Sequence, residues 1–114
     1  MHKRWFKVSC QNFYAPKTGK LGLHVDDTEE DRESPIVTFS LGESCQFAIG
    51  GANKTDPVQR IIINSGDCLI MHRQGRNIYH GVEKLYPHSS QLLKNGGRIS
   101  LTFRRNKPLK ITTF

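Results

Sequence analysis

At 114 residues the chain can bury one modest core and no more, so a single domain over residues 1–114 is expected, either complete or as part of a longer polypeptide. Seventeen Lys and Arg residues against ten Asp and Glu residues give a net charge of +7, a field that concentrates anionic partners such as nucleic acid. Three cysteines, Cys10, Cys45 and Cys68, are odd in number and form no CxxC pair, which argues against a disulfide framework and a zinc site, and no apolar run is long enough to cross a bilayer. The expectation is a soluble, monomeric, cytoplasmic protein kept in a reducing compartment, with no membrane partner.

In chain order, strand-length apolar runs rich in β-branched and aromatic residues fall at 20–25, 35–41, 46–49, 59–63, 68–71 and 98–103. Between them stand turn residues at regular spacing: Gly42, Gly50-Gly51, Asn64-Ser65-Gly66-Asp67, Gly75 and Asn95-Gly96-Gly97. No long window carries the 3.6-residue period of an amphipathic helix. The predicted fold class is therefore mainly β, a sandwich or jelly roll with minor helix. Two stretches read as rim loops: residues 27–34, with five carboxylates in eight positions, and residues 52–57 after the paired glycines.

His24-Val25-Asp26 ends the first of these runs, and residues two apart on a strand project to the same face. A third ligand would come from His80, in Ile78-Tyr79-His80-Gly81-Val82. Two imidazoles and a carboxylate make the facial triad that leaves positions open on Fe(II). An HxD pair alone is common by chance. His2, His72 and His88 have no partner at strand spacing and read as surface residues.

Near the end, Arg98-Ile99-Ser100-Leu101-Thr102-Phe103-Arg104 places two arginines six apart, an even spacing that keeps both on one face. A buried guanidinium is costly unless paired, and its planar fork matches a carboxylate, so two inward arginines suit a dicarboxylate beside a metal. The same pattern also fits an exposed edge strand with its arginines on the wet face.

Taken together and in order, these segments resemble the AlkB family of Fe(II) and 2-oxoglutarate dependent dioxygenases. The resemblance runs from Asn12-Phe13-Tyr14 through Leu21-Gly22-Leu23-His24-Val25-Asp26, Pro35-Ile36-Val37-Thr38-Phe39-Ser40-Leu41-Gly42, Ser65-Gly66-Asp67 and Tyr79-His80-Gly81-Val82 to Arg98–Arg104. It implies a double-stranded β-helix with His24, Asp26 and His80 as iron ligands, and with 2-oxoglutarate and O2 as co-substrates. It further implies that Arg98 takes the distal carboxylate of 2-oxoglutarate, that Arg104 lies near the metal-side carboxylate and Asp26, and that Asn12, Tyr14 and Ser100 belong to the co-substrate site. The implied activity is oxidative demethylation of bases such as 1-methyladenine or 3-methylcytosine in single-stranded DNA or RNA, with release of formaldehyde, succinate and CO2.

The chain departs from that pattern where substrate is chosen. Family members carry an N-terminal lid with a stacking aromatic residue, and here Trp5 and Phe6 alone precede the matched region as candidates. Two positions after Asp26 stands Thr28 where bacterial members have an acid, so Asp27 or Glu29 would have to substitute, and Lys54 stands where a basic residue can touch substrate. Two other readings remain open at this point: an oxygenase acting on a protein, tRNA or small molecule, and a non-catalytic jelly roll that binds metal or nucleic acid.

Overall fold

The computed structural model describes the backbone of residues 7–26 and 34–105, with side chains from Asn12 onward. Eight strands form it: β1 (Lys7–Tyr14), β2 (Leu21–His24), β3 (Ile36–Gly42), β4 (Cys45–Ile49), β5 (Gln59–Ile63), β6 (Cys68–Met71), β7 (His80–Leu85) and β8 (Arg98–Arg104). A single 3-10 turn, Arg73–Asn77, leads into β7. The strands build two four-stranded antiparallel sheets in the orders β1-β8-β3-β6 and β2-β7-β4-β5. Apart from the β4–β5 hairpin, each strand passes to the opposite sheet from the one before it. That alternation winds a double-stranded β-helix, so the jelly roll expected from the sequence is the fold.

Six of the strands fall on the predicted runs, and β1 and β7 are additions. Period-2 alternation hides both. In β1 the inward positions Asn12 and Tyr14 are polar or amphipathic because they face a polar cavity. In β7 Glu83 and Lys84 are exposed one after the other, opposite a register shift between Gln46 and Phe47 of β4. The arginine-bearing β8 is an interior strand, paired with β1 on one side and β3 on the other, so the exposed-edge alternative for Arg98 and Arg104 does not hold.

The two sheets use their faces differently. From β2-β7-β4-β5, Cys45, Phe47, Ile63, Val82 and Leu85 point inward and make the apolar core with Tyr14. Its outer face is polar at Gln46, Arg60 and Glu83, where the Glu83 carboxylate accepts from Arg60 Nε at 3.0 Å and Gln46 Nε2 at 3.0 Å. In β1-β8-β3-β6 the inward row is Asn12, Tyr14, Thr38, Ser40, Arg98, Ser100, Thr102 and Arg104, with Leu69 and Met71 of the edge strand β6 as its apolar members. Its outward row is Phe13, Val37, Phe39, Leu41, Ile70, Ile99, Leu101 and Phe103, of which Phe13, Phe39 and Ile70 are exposed. Phe39 and Phe103 pack edge to face on that outer surface, with centroids 5.8 Å apart.

Candidate metal centre

His24 and His80 are direct partners across the β2–β7 ladder, so both side chains leave the same face side by side, with ring centroids 4.5 Å apart. The approach depends on Gly81: a Cβ there would meet the Leu21 carbonyl oxygen at 2.5 Å. Glycine therefore lets the two strands close where the register shifts. Strand β2 ends at His24, and Asp26 reaches the same spot from the turn that follows rather than by strand alternation. His24 Nε2 lies 3.4 Å from Asp26 Oδ1, and His80 Nε2 lies 3.8 Å from Asp26 Oδ2. One ligand atom from each of the three residues falls within 4.8 Å of the others.

Each imidazole has its tautomer set by the backbone two residues earlier. His24 Nδ1 donates to the Gly22 carbonyl at 2.9 Å and His80 Nδ1 to the Ile78 carbonyl at 3.1 Å. With both Nδ1 atoms protonated and engaged, the two Nε2 atoms converge on Asp26, the position from which neutral rings would ligate a metal. Burial lowers the pKa of His80 and favours its neutral, ligating form. The bond to Asp26 raises that of His24, and the same bond, reinforced by Arg104, holds the Asp26 carboxyl below the usual range. Phe47 lies nearly parallel to the His80 ring, at 5.9 Å and 29°, and closes the apolar side.

Across the mouth, Arg104 Nη2 stands 3.6 Å from Asp26 Oδ2, joining one sheet to the turn that leaves the other. Arg98 lies deeper, 2 % exposed, with its guanidinium 5.1 Å above the Tyr14 ring and its Nη2 donating to Ser40 Oγ at 2.7 Å. Its Nε and Nη1 are buried with no hydrogen-bond partner in the structure. A buried guanidinium with unused donors costs free energy unless an anion meets it, and a carboxylate is the geometric match. Burial pushes the Tyr14 phenol above its ordinary pKa, with Arg98 opposing, so the phenol is neutral and able to donate.

These residues surround one cavity of about 170 Å³. That is five or six water volumes at ~30 Å³ each, room for a compact ligand of several heavy atoms. His24, Asp26, His80, Asn12, Tyr14, Arg98, Ser100 and Arg104, all named from the sequence, line it together. Asp27, Thr28 and Glu29, like Trp5 and Phe6, lie outside the described residues. Lys54 is exposed in the β4–β5 turn and does not line the cavity. His72 and His88 are exposed, as expected of surface residues. Sequence reasoning gave no role to Ser40, Phe47 or Gly81. The glycine directly after His80 was the one readable signal, because a strand residue without a side chain marks a close approach.

The three convergent ligand atoms and the buried arginine with two unused donors line the same jelly-roll cavity, a set of groups suited to a metal ion and a carboxylate. The model of the 2OG-Fe(II) oxygenase superfamily matches residues 5–104. The chain belongs to this superfamily. An "Alpha-ketoglutarate-dependent dioxygenase AlkB homolog" of Caulobacter vibrioides is 42% identical over 86 residues, covering 75% of this chain and 39% of that protein. The Arabidopsis thaliana protein named "DNA N(6)-methyladenine demethylase ALKBH1D" is 42% identical over 107 residues, covering 85% of this chain and 24% of its own length. The structure of OsALKBH1 superposes with a TM-score of 0.75 at 37% identity over 83% of this chain and 48% of that one. The AlkB branch is thus the chain's own, and the chain spans less than half the length of each of these relatives. Fe(II) as cofactor, with 2-oxoglutarate and O2 as co-substrates, follows from the family, and the unused Arg98 donors and the convergent Nε2 atoms fit both groups.

Proposed function

We propose that this chain is the catalytic core of an Fe(II) and 2-oxoglutarate dependent oxygenase that removes N-alkyl groups from bases of nucleic acid. One observation carries the reading: two histidines with Nδ1 committed to carbonyl groups, a carboxylate between them, and a buried arginine with unspent donors share one cavity. When bound, the metal with its two co-substrates supplies the oxidation of an N-methyl carbon, and the hydroxymethyl product then sheds formaldehyde.

The chain's own residues do the rest. His24, Asp26 and His80 hold the ion, and the bond with His24, reinforced by Arg104, keeps Asp26 ionised for that task. Arg98 receives one carboxylate of the co-substrate, while the Tyr14 ring beneath the guanidinium keeps water from competing for it. Asn12 and Ser100 add polar contacts along the cavity wall. The net charge of +7 favours a polyanionic substrate through counterion release, and an alkylated base in a single strand needs no unpairing to reach the site. Asp27, Thr28, Glu29 and Lys54 are the proposed substrate contacts, and the chain is taken to act as a monomer in the cytoplasm.

The test is formaldehyde and succinate release from methylated single-stranded DNA and RNA oligonucleotides, with Fe(II) and 2-oxoglutarate present. Wild type should yield both products in equal amounts. His80→Ala should abolish them and weaken Mn(II) binding by at least about 100-fold, beyond the loss typical of an outer partner. Succinate release with no formaldehyde from any methylated strand would overturn the nucleic-acid reading.

A further inference from the structure

Ser40 sits in the middle of β3, 1 % exposed, and ranks among the most deeply buried side chains described. Its hydroxyl accepts from Arg98 Nη2 at 2.7 Å, so this serine settles which way the guanidinium lies. A serine on an inward strand position would ordinarily cost desolvation. Here it spends its acceptor capacity on the arginine.

The backbone of Ser40 is itself held. Its N–H donates to the Asp67 carbonyl at 3.1 Å, and its carbonyl accepts from Gly66 at 2.7 Å. The turn that makes these bonds is closed on itself by Asp67, whose carboxylate accepts from Asn64 N at 2.7 Å, while Gly66 supplies the positive φ of 90°. Ser65 Oγ accepts from Gly42 N at 3.0 Å, and Ser44 Oγ donates to Asn64 Oδ1 at 2.6 Å, so the turn also grips the end of β3 and the start of β4. The Ser65-Gly66-Asp67 motif therefore acts on the site at one remove: turn to Ser40, Ser40 to Arg98.

The two ends of the cavity are then fixed by different sheets. The triad is set by the β2–β7 register and Gly81, and Arg98 is set by β3 through Ser40. A dicarboxylate that must reach from one to the other is measured by that gap.

We propose that Ser40 is a positioning residue that pins Arg98 and so sets the carbon-chain length of the 2-oxo dicarboxylate the pocket accepts. The proposal rests on the function proposed above, since it takes the cavity to hold such a co-substrate. The bond exists before any acid binds, so what its loss takes from affinity is the work of re-immobilising the guanidinium at each binding event, about 0.5–1.5 kcal/mol or up to roughly tenfold. Freeing the guanidinium to shift should also blur the choice among chain lengths.

The experiment is anaerobic calorimetry of the Fe(II)-loaded protein with oxaloacetate, 2-oxoglutarate and 2-oxoadipate, comparing wild type, Ser40→Ala and Ser40→Thr. Mn(II) affinity and the melting temperature serve as fold controls. Wild type should prefer 2-oxoglutarate by tenfold or more over its shorter and longer neighbours. Ser40→Ala should bind it about three- to tenfold more weakly, compress that preference to within about threefold and leave the metal affinity unchanged. Ser40→Thr, which keeps the hydroxyl, should recover the preference. Identical binding by wild type and Ser40→Ala overturns the proposal, as does an equal loss for all three acids. If wild type binds none of the three, the co-substrate reading itself falls, and this inference with it.

Discussion

On β2-β7-β4-β5 the inward side chains are Cys45, Phe47, Ile63, Val82 and Leu85, while the Arg60–Glu83–Gln46 cluster faces out. On β1-β8-β3-β6 the inward row holds two arginines, three hydroxyl residues from β3 and β8 beside Asn12 and Tyr14, and a fourth hydroxyl in Thr38, whose Oγ1 lies 3.1 Å from Thr102 Oγ1. Its phenylalanines face out. The first sheet supplies the apolar cohesion of the sandwich together with the two histidines, and the second supplies the polar wall of the cavity with both arginines. Hydrophobic patterning alone would assign the faces of the second sheet the wrong way round. Apolar side chains on its outer surface leave the inner surface free for groups that a core would not tolerate without partners.

The comparison can be broken at several points. The largest effect is expected for Phe47→Ala, which removes an inward aromatic ring that also stacks on His80. Denaturant unfolding should show a loss of about 3–5 kcal/mol. Gly81→Ala should act on the site through the sheet that carries the ligands: the added methyl group forces β2 away from β7, and Mn(II) affinity measured by calorimetry should fall at least tenfold, with a smaller loss of stability. The smallest effect is expected on the outer face of the other sheet. Phe39→Ser should cost about 1 kcal/mol through its lost contact with Phe103 and Ile70→Ser no more than about 0.5 kcal/mol, both reducing the binding of a hydrophobic dye. A loss from Phe39→Ser as large as that from Phe47→Ala would erase the distinction between the sheets.

Much of this was legible in the residues. Turn signals and short β-rich runs gave the jelly roll and six strand positions, and even spacing put Arg98 and Arg104 on one face because β8 is a regular interior strand. His24 and Asp26 were paired correctly for a reason that holds only in part, since the strand stops at His24 and a turn brings Asp26 in. Strand β7 was hidden because its own bulge at Glu83 breaks the alternation, and β1 because its inward face is polar. Ser40 carried no signal at all: a serine in a strand is ordinary until Arg98, 58 positions further along the chain, is seen bonded to it. Lys54, placed near substrate by resemblance, is exposed in the β4–β5 turn outside the cavity lining, so any substrate contact it makes would be with a part of the substrate beyond the cavity.

The cavity takes its metal ligands from one sheet and its buried arginine from the other, and this division has a mechanical consequence. Under the proposed roles, a ligand held by the triad and by Arg98 would be a removable strut between two layers that also meet through the core around Phe47. Occupancy then turns into rigidity: each tenfold rise in free ligand above its dissociation constant adds about 1.4 kcal/mol to the work of prising the sheets apart.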